Sequence, residues 1–199
     1  MNIINLFPTP VGAFQYDKQF TKEQMDFLLN AEQKPNEGNT TSANRAILEE
    51  PLFEDLKGFI QKSLDTYFKQ TVRPMNEVGL RITQSWLNYS KKGQWHHKHA
   101  HSNSFVSGCF YVNADGTKDK IYFYKEGYKQ IAIPSEDFTE HNSESWWLPV
   151  KTNQLIFFPS WLTHSVAPVE TEETRISIAL NTFPIGNVGK DDSLTGLYL

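Results

Sequence analysis

Four histidines crowd into the segment QWHHKHAHS, as His96, His97, His99 and His101, while His164 stands alone in FPSWLTHSV and His141 in the polar stretch EDFTEHNSES. On an extended chain alternate side chains share a face, so His97, His99 and His101 point the same way and any adjacent pair can chelate one ion. Spacing alone leaves two pairs open, His97 with His99 and His99 with His101. Neutral imidazoles suit Fe, Zn, Cu or Ni, and a third imidazole from a distant strand, such as His164, completes a facial site with open positions. Arg175 follows His164 by eleven residues, across the acidic turn VETEET. Inside a pocket its guanidinium grips a carboxylate through two parallel hydrogen bonds; at the surface it pairs with Glu172 or Glu173 instead.

The elements that must position these groups are legible as a mainly β domain preceded by helices. Thr21 with Gln24 forms a capping-box pattern ahead of Met25, Leu28 and Leu29, which predicts a helix over about 21–32. Pro51 opens a second helix, over about 51–69, whose apolar stripe runs from Leu52 through Leu56, Ile60 and Leu64 to Phe68. Between them the segment 34–49 is polar and rich in turn formers, as in a long surface loop or lid. After Pro74 the pattern turns to short β-rich runs at 79–90, 104–113, 119–125, 128–133, 145–150, 154–158, 162–169 and 174–183. Such spacing without intervening helices predicts an antiparallel sandwich or barrel with the helices outside one sheet. In the last run Ile176, Ile178, Leu180 and Thr182 alternate with Arg175, Ser177, Ala179 and Asn181. One face is apolar, for the helices, and the other small and polar, for a hydrated pocket.

Length and composition narrow the function classes. The 199 residues suit one domain, 1–199, with core strands over about 79–183. The content of 39% hydrophobic and 14% aromatic residues is that of a globular, sheet-rich chain. A formal charge of −4 and the absence of any long basic run speak against nucleic acid as a partner. A lone cysteine, Cys109, permits no intrachain disulfide, and its natural place is a buried apolar one. No basic n-region opens the chain and no apolar run reaches the ~20 residues of a membrane span, so a cytoplasmic enzyme is expected.

The segments LFPTPV, HAHSNSFVSGCFYV and LIFFPSWLTHSVAPVETEETRISIALN carry a family resemblance. The sequence resembles the 2-oxoglutarate/Fe(II)-dependent dioxygenase superfamily, and within it a bacterial and phage subgroup of oxygenases. The resemblance implies a double-stranded β-helix, a jelly roll of eight core strands also found in cupins. Matching the subgroup's His-x-His, its Ser-Gly six residues later and its aromatic pair implies that His99 and His101 are the first two metal ligands, His164 the distal ligand, and Arg175 the residue that binds the far carboxylate of 2-oxoglutarate. In the related prolyl 4-hydroxylases a tyrosine three residues after a glycine contacts 2-oxoglutarate; Gly93 keeps that spacing and His96 takes the tyrosine's place, which makes His96 a cofactor-binding candidate. The superfamily's usual second ligand is a carboxylate, whereas His101 stands there in this chain. Fe(II), 2-oxoglutarate and O2 are the implied cofactors, and hydroxylation of a small-molecule or peptide substrate with release of succinate and CO2 the implied reaction. Two other classes share the fold: a cupin-like three-histidine metalloenzyme that uses no 2-oxoglutarate, and a binding module without catalysis in which Trp86, Trp95, Trp146 and Trp147 hold the ligand.

Overall fold

The computed structural model describes residues 1–127, 131 and 133–199. Its elements run β1 (Gly12–Gln15), α1 (Lys22–Asn30), β2 (Gln33–Pro35), β3 (Thr40–Ser42), α2 (Glu54–Thr71), β4 (Val78–Ser90), β5 (His96–His99), β6 (Val106–Asn113), β7 (Lys120–Tyr124), β8 (Ser145–Pro149), β9 (Gln154–Pro159), β10 (His164–Val166), β11 (Arg175–Val188) and β12 (Leu197–Tyr198). Two antiparallel sheets result, a large one in the order β1-β9-β6-β11-β4-β3-β2 with β12 on β11, and a smaller one in the order β5-β10-β7-β8. This is the double-stranded β-helix expected of the sequence.

Strand parity divides the interior in two. On β11, Ile176, Ile178 and Leu180 join Leu87 and Tyr89 of β4, Phe110 and Val112 of β6, and Leu155 and Phe157 of β9 in a cluster covered by α2 through Leu56, Ile60, Leu64 and Tyr67. Each such buried aliphatic or aromatic side chain contributes about 1.5–3 kcal/mol, so this face secures the helices to the sheet. The opposite parity packs sheet on sheet: Tyr111, Ile156 and Phe158 of the large sheet meet Ile121 and Phe123 of the small one. Phe123 and Phe158 stand edge to face with centroids 5.2 Å apart. The glycine of the Ser-Gly motif follows from the helix-side packing. A Cβ on Gly108 would lie 2.7 Å from the Phe157 ring and 3.1 Å from Leu180 Cγ, so only glycine lets β9 and β11 close over β6.

The helix at 22–30 begins with the capping box read from sequence: Gln24 N–H donates to Thr21 Oγ1 and Thr21 N–H donates to Gln24 Oε1. The second helix spans 54–71, its first turn at 51–53 being a 3-10 turn led by Pro51. The segment 34–49 departs from the expected surface loop. It adds β2 and β3 to the edge of the large sheet and buries Ile47 and Leu48, because Thr40, Thr41 and Ser42 offer a short extended run that pairs with β4. Strand β1, which pairs with β9, was not anticipated either. Of the strand expected at 128–133, residues 128–130 and 132 lie outside the described residues, and Ile131 and Ile133 are not in a strand.

Candidate functional site

Two of the histidines are set side by side by strand register. His99, the last residue of β5, pairs with His164, the first residue of β10, and Phe123 of β7 follows on the other side. His101 lies two residues beyond β5, where its N–H donates to Ser160 O at 2.9 Å and brings it back over the end of β10. The ligating nitrogens of His99, His101 and His164 all lie within 4.8 Å of one another. His101 Nε2 and His164 Nε2 are 3.4 Å apart with nearly parallel rings. Two imidazole nitrogens bound to one ion at ~2.0–2.1 Å stand roughly 3–3.5 Å apart, so this pair needs little movement to ligate.

Backbone carbonyls fix which nitrogen is free. His99 Nδ1 faces His97 O at 2.8 Å and His164 Nδ1 faces Leu162 O at 3.0 Å. Each ring donates from Nδ1 there and leaves the Nε2 lone pair for an ion, the arrangement that orients metal-bound imidazoles. Burial first, then the neighbouring His99 and His101, pushes the pKa of His164 down to about 2. Burial and His99 push His101 down to about 4, and burial lowers His99 as well. All three are therefore neutral near pH 7, the form that ligates.

A second set, His96, His97 and His99, has its nitrogens equally close. It uses the same His99, which has one free nitrogen, so the two sets are alternatives. His97 does not line the cavity that holds His96, His99, His101 and His164. It faces Glu37 instead, at 4.0 Å. Neither set includes a carboxylate. His141 is a surface residue beside Glu140 and does not line this cavity.

Arg175 is 5% exposed and lines the same cavity. Its partner is not Glu172 or Glu173. Nη1 donates to Asp119 Oδ1 at 2.9 Å and, more weakly, to Ala167 O at 3.4 Å, while Glu172 pairs with Lys92. Asp119 is equally buried, and its other oxygen accepts from Asp115 N–H. This partner was invisible in the sequence, since it comes from a turn 56 residues away. One guanidinium nitrogen is thereby committed, and the remaining donors are left for a ligand. His96 shares the cavity, its pKa pushed down to about 3 by burial first and by the nearby histidines and Arg175 after that.

Three further polar atoms were missed from sequence. Tyr111 Oη, Asn88 Oδ1 and Asn39 Nδ2 are buried, line this cavity and have no hydrogen-bond partner. Tyr111 and Asn88 sit at inward positions of β6 and β4, where a polar group among apolar neighbours was the available signal. Burial raises the Tyr111 phenol well above its ordinary pKa, against the opposing pull of Arg175. Unpartnered buried polar atoms are costly, and their convergence on one cavity makes it the candidate binding site. Trp86 lines this cavity too, whereas Trp146 and Trp147 line a separate hollow with Phe138.

Comparison with known proteins bears on the family and the fold. Residues 84–181, which contain every histidine of the two sets as well as Arg175, match the family described as "Putative 2OG-Fe(II) oxygenase". No curated protein sequence matches the chain. Among solved structures it is similar to an oxidoreductase of the 2OG-Fe(II) oxygenase family from Burkholderia pseudomallei, with 11% identity, a TM-score of 0.56, and 86% of this chain and 84% of that one covered. It is also similar to HygX from Streptomyces hygroscopicus, whose structure holds nickel and 2-oxoglutarate, with 12% identity, a TM-score of 0.59 and coverage of 87% and 82%. A prolyl-4-hydroxylase from Pseudomonas putida gives 12% identity, a TM-score of 0.57 and coverage of 87% and 92%. At such identities these likenesses concern the fold.

Proposed function

Because the chain belongs to the 2-oxoglutarate/Fe(II)-dependent oxygenases, we propose that His99, His101 and His164 hold the iron and that Arg175, with Tyr111, receives the distal carboxylate of 2-oxoglutarate. The observation that supports this most directly is the convergence of three neutral imidazoles in a cavity that also holds a buried arginine with uncommitted donors. When bound, Fe(II) supplies O2 activation coupled to decarboxylation of 2-oxoglutarate, and the reaction balances as substrate C–H, O2 and 2-oxoglutarate giving hydroxylated substrate, succinate and CO2.

The residues of this chain contribute orientation and exclusion. His97 O and Leu162 O hold two of the imidazoles in their ligating tautomer. Asp119 fixes the guanidinium plane of Arg175, so the fork that meets the carboxylate is in place before binding. Tyr111, its pKa raised, stays protonated and offers a hydrogen bond rather than a charge. His96 is a second co-substrate contact at the same cavity. The substrate is a small molecule or a peptide side chain, and the whole of 1–199 serves as one catalytic domain in the cytoplasm. Among the described residues no helix is long and apolar enough to cross a membrane.

The all-imidazole ligand set also suits a cupin-like metalloenzyme that uses no 2-oxoglutarate. Anaerobic titration of 2-oxoglutarate into the Fe(II)-loaded protein separates the two readings. The oxygenase gives a saturable metal-to-ligand absorption band and, in air, succinate in step with consumed 2-oxoglutarate. Absence of both refutes the oxygenase reading.

A further inference from the structure

The hairpin tip between β2 and β3 reaches into the cavity through one side chain, Asn39. It is 5% exposed and lines the cavity beside His96 and Arg175. Its two amide atoms have different fates. Oδ1 accepts a hydrogen bond from Asn36 Nδ2 at 2.8 Å, whereas Nδ2 is buried without any partner. Because Asn36 occupies the oxygen, the amide is oriented and its N–H group is the one left over.

Strand register shows which part of the cavity this donor serves. Arg175 pairs with Ser90 across β11 and β4, and Thr40 pairs with Tyr89 across β3 and β4. One step further along the hairpin, Asn39 flanks Ser90, so Asn39, Ser90 and Arg175 extend one row across the large sheet. Asn181, whose side chain neighbours His101, is six residues along β11 from Arg175. Asn39 thus sits level with the arginine and away from the end where the imidazoles converge.

The tip is also held rigidly. Asn36 N–H donates to Asn39 O at 3.0 Å and Trp95 N–H donates to Gly38 O at 3.1 Å. Gly38 has φ +83, and a Cβ there would lie 2.6 Å from Trp95 O and 2.8 Å from the indole, so glycine alone permits this approach. A donor fixed this way has its ordering cost met before any ligand arrives.

We propose that Asn39 is a 2-oxoglutarate-binding residue, its Nδ2–H donating to the distal carboxylate alongside Arg175 and closing that end of the cavity from the hairpin. This rests on the assignment of the Arg175 end to the distal carboxylate made above. A carboxylate offers about four acceptor positions, which leaves room for a further donor beside Tyr111 and Arg175, one of whose nitrogens Asp119 has taken.

The test compares two keto acids on the anaerobic Fe(II) holoprotein, 2-oxoglutarate and 2-oxobutyrate, which shares the chelating end and lacks the distal carboxylate. Asn39→Ala is expected to weaken 2-oxoglutarate roughly tenfold, the loss of one hydrogen bond to a charged group, and to leave 2-oxobutyrate unchanged. Asn39→Asp keeps the volume and the contact with Asn36 while turning the donor into a like charge, so it serves if the alanine variant does not fold, and its loss for 2-oxoglutarate is expected to be larger. Wild-type affinity for 2-oxoglutarate in either variant overturns the proposal, as does equal weakening of both acids, which places Asn39 elsewhere. If the wild type itself binds 2-oxoglutarate no more tightly than 2-oxobutyrate, the assignment of the Arg175 end fails first, and with it this one.

Discussion

Replacing Arg175 by lysine isolates the carboxylate fork from the charge. Nη1 of Arg175 is held by Asp119 at 2.9 Å, in a pair whose side chains are 5% and 6% exposed. Truncation to alanine therefore does more than remove a ligand contact. It strands a buried carboxylate, and breaking such a pair costs about 3–5 kcal/mol of stability. Lysine retains a cation for Asp119 but offers a point charge, so it cannot serve Asp119 and present two parallel donors to a ligand. One charge-assisted hydrogen bond, about 1.5–3 kcal/mol, is expected to vanish from 2-oxoglutarate binding, roughly a ten- to hundredfold rise in Kd. The assay is the anaerobic titration of 2-oxoglutarate into Fe(II) protein, with metal affinity measured separately in the absence of the keto acid. Metal affinity should stay within a few-fold of wild type, because Arg175 touches no imidazole directly. A lysine variant that binds 2-oxoglutarate as tightly as wild type, or one that loses metal and 2-oxoglutarate together, refutes the clamp.

Alanine in place of His99, His101 or His164 should each sharply weaken Fe(II) binding, whereas His97→Ala and His141→Ala should not; loss in His97→Ala with retention in His164→Ala would move the site to the alternative set that shares His99. Metal-free protein should lose stability as pH falls. His164 and His101 have folded values near 2 and 4, below the ordinary ~6.5 of an unfolded histidine, so the unfolded chain binds more protons below about pH 6.5. Each such group gives a slope of ~1.4 kcal/mol per pH unit, full stability lying above that pH, and urea midpoints that hold steady from pH 7.5 to 5 would contradict burial of neutral imidazoles. Gly108→Ala should lower the thermal midpoint through a clash worth about 1–3 kcal/mol with Phe157, and an unchanged midpoint would show that the ring has room to move.

The parts of this molecule that sequence made legible are those governed by local periodicity. The alternation of Ile176, Ile178 and Leu180 with Arg175, Ser177 and Ala179 gave both the helix-covered face and the pocket-lining face of β11, and the structure has them so. The capping box at Thr21 gave the start of α1. What stayed hidden depends on partners far along the chain. Thr40–Ser42 is too short and polar to read as a strand and becomes one only because β4 offers it an edge. Asp119 carries no local mark of its pairing with Arg175, and Asn39 looks like any turn asparagine in NEGNTT until the hairpin folds against Trp95. His97 and His101 are equivalent by spacing. They separate because the chain leaves β5 after His99 and is pulled back by the bond from His101 N–H to Ser160 O.

The charges of the cavity bear on the all-histidine ligand set proposed above. Arg175 and Asp119 form a neutral pair, and the three imidazoles are neutral, so the protein lining contributes almost no net charge of its own. A divalent ion in the His99/His101/His164 set keeps its full +2, one unit more than a set with a carboxylate would leave, and burial makes that charge costly unless an anion joins it. 2-Oxoglutarate carries two negative charges and brings both in one molecule, one carboxylate at the metal and one at the Arg175 end. On the proposed assignment 2-oxoglutarate also neutralises the ion, which ties metal and co-substrate binding together through electrostatics as well as through the direct contact at the metal.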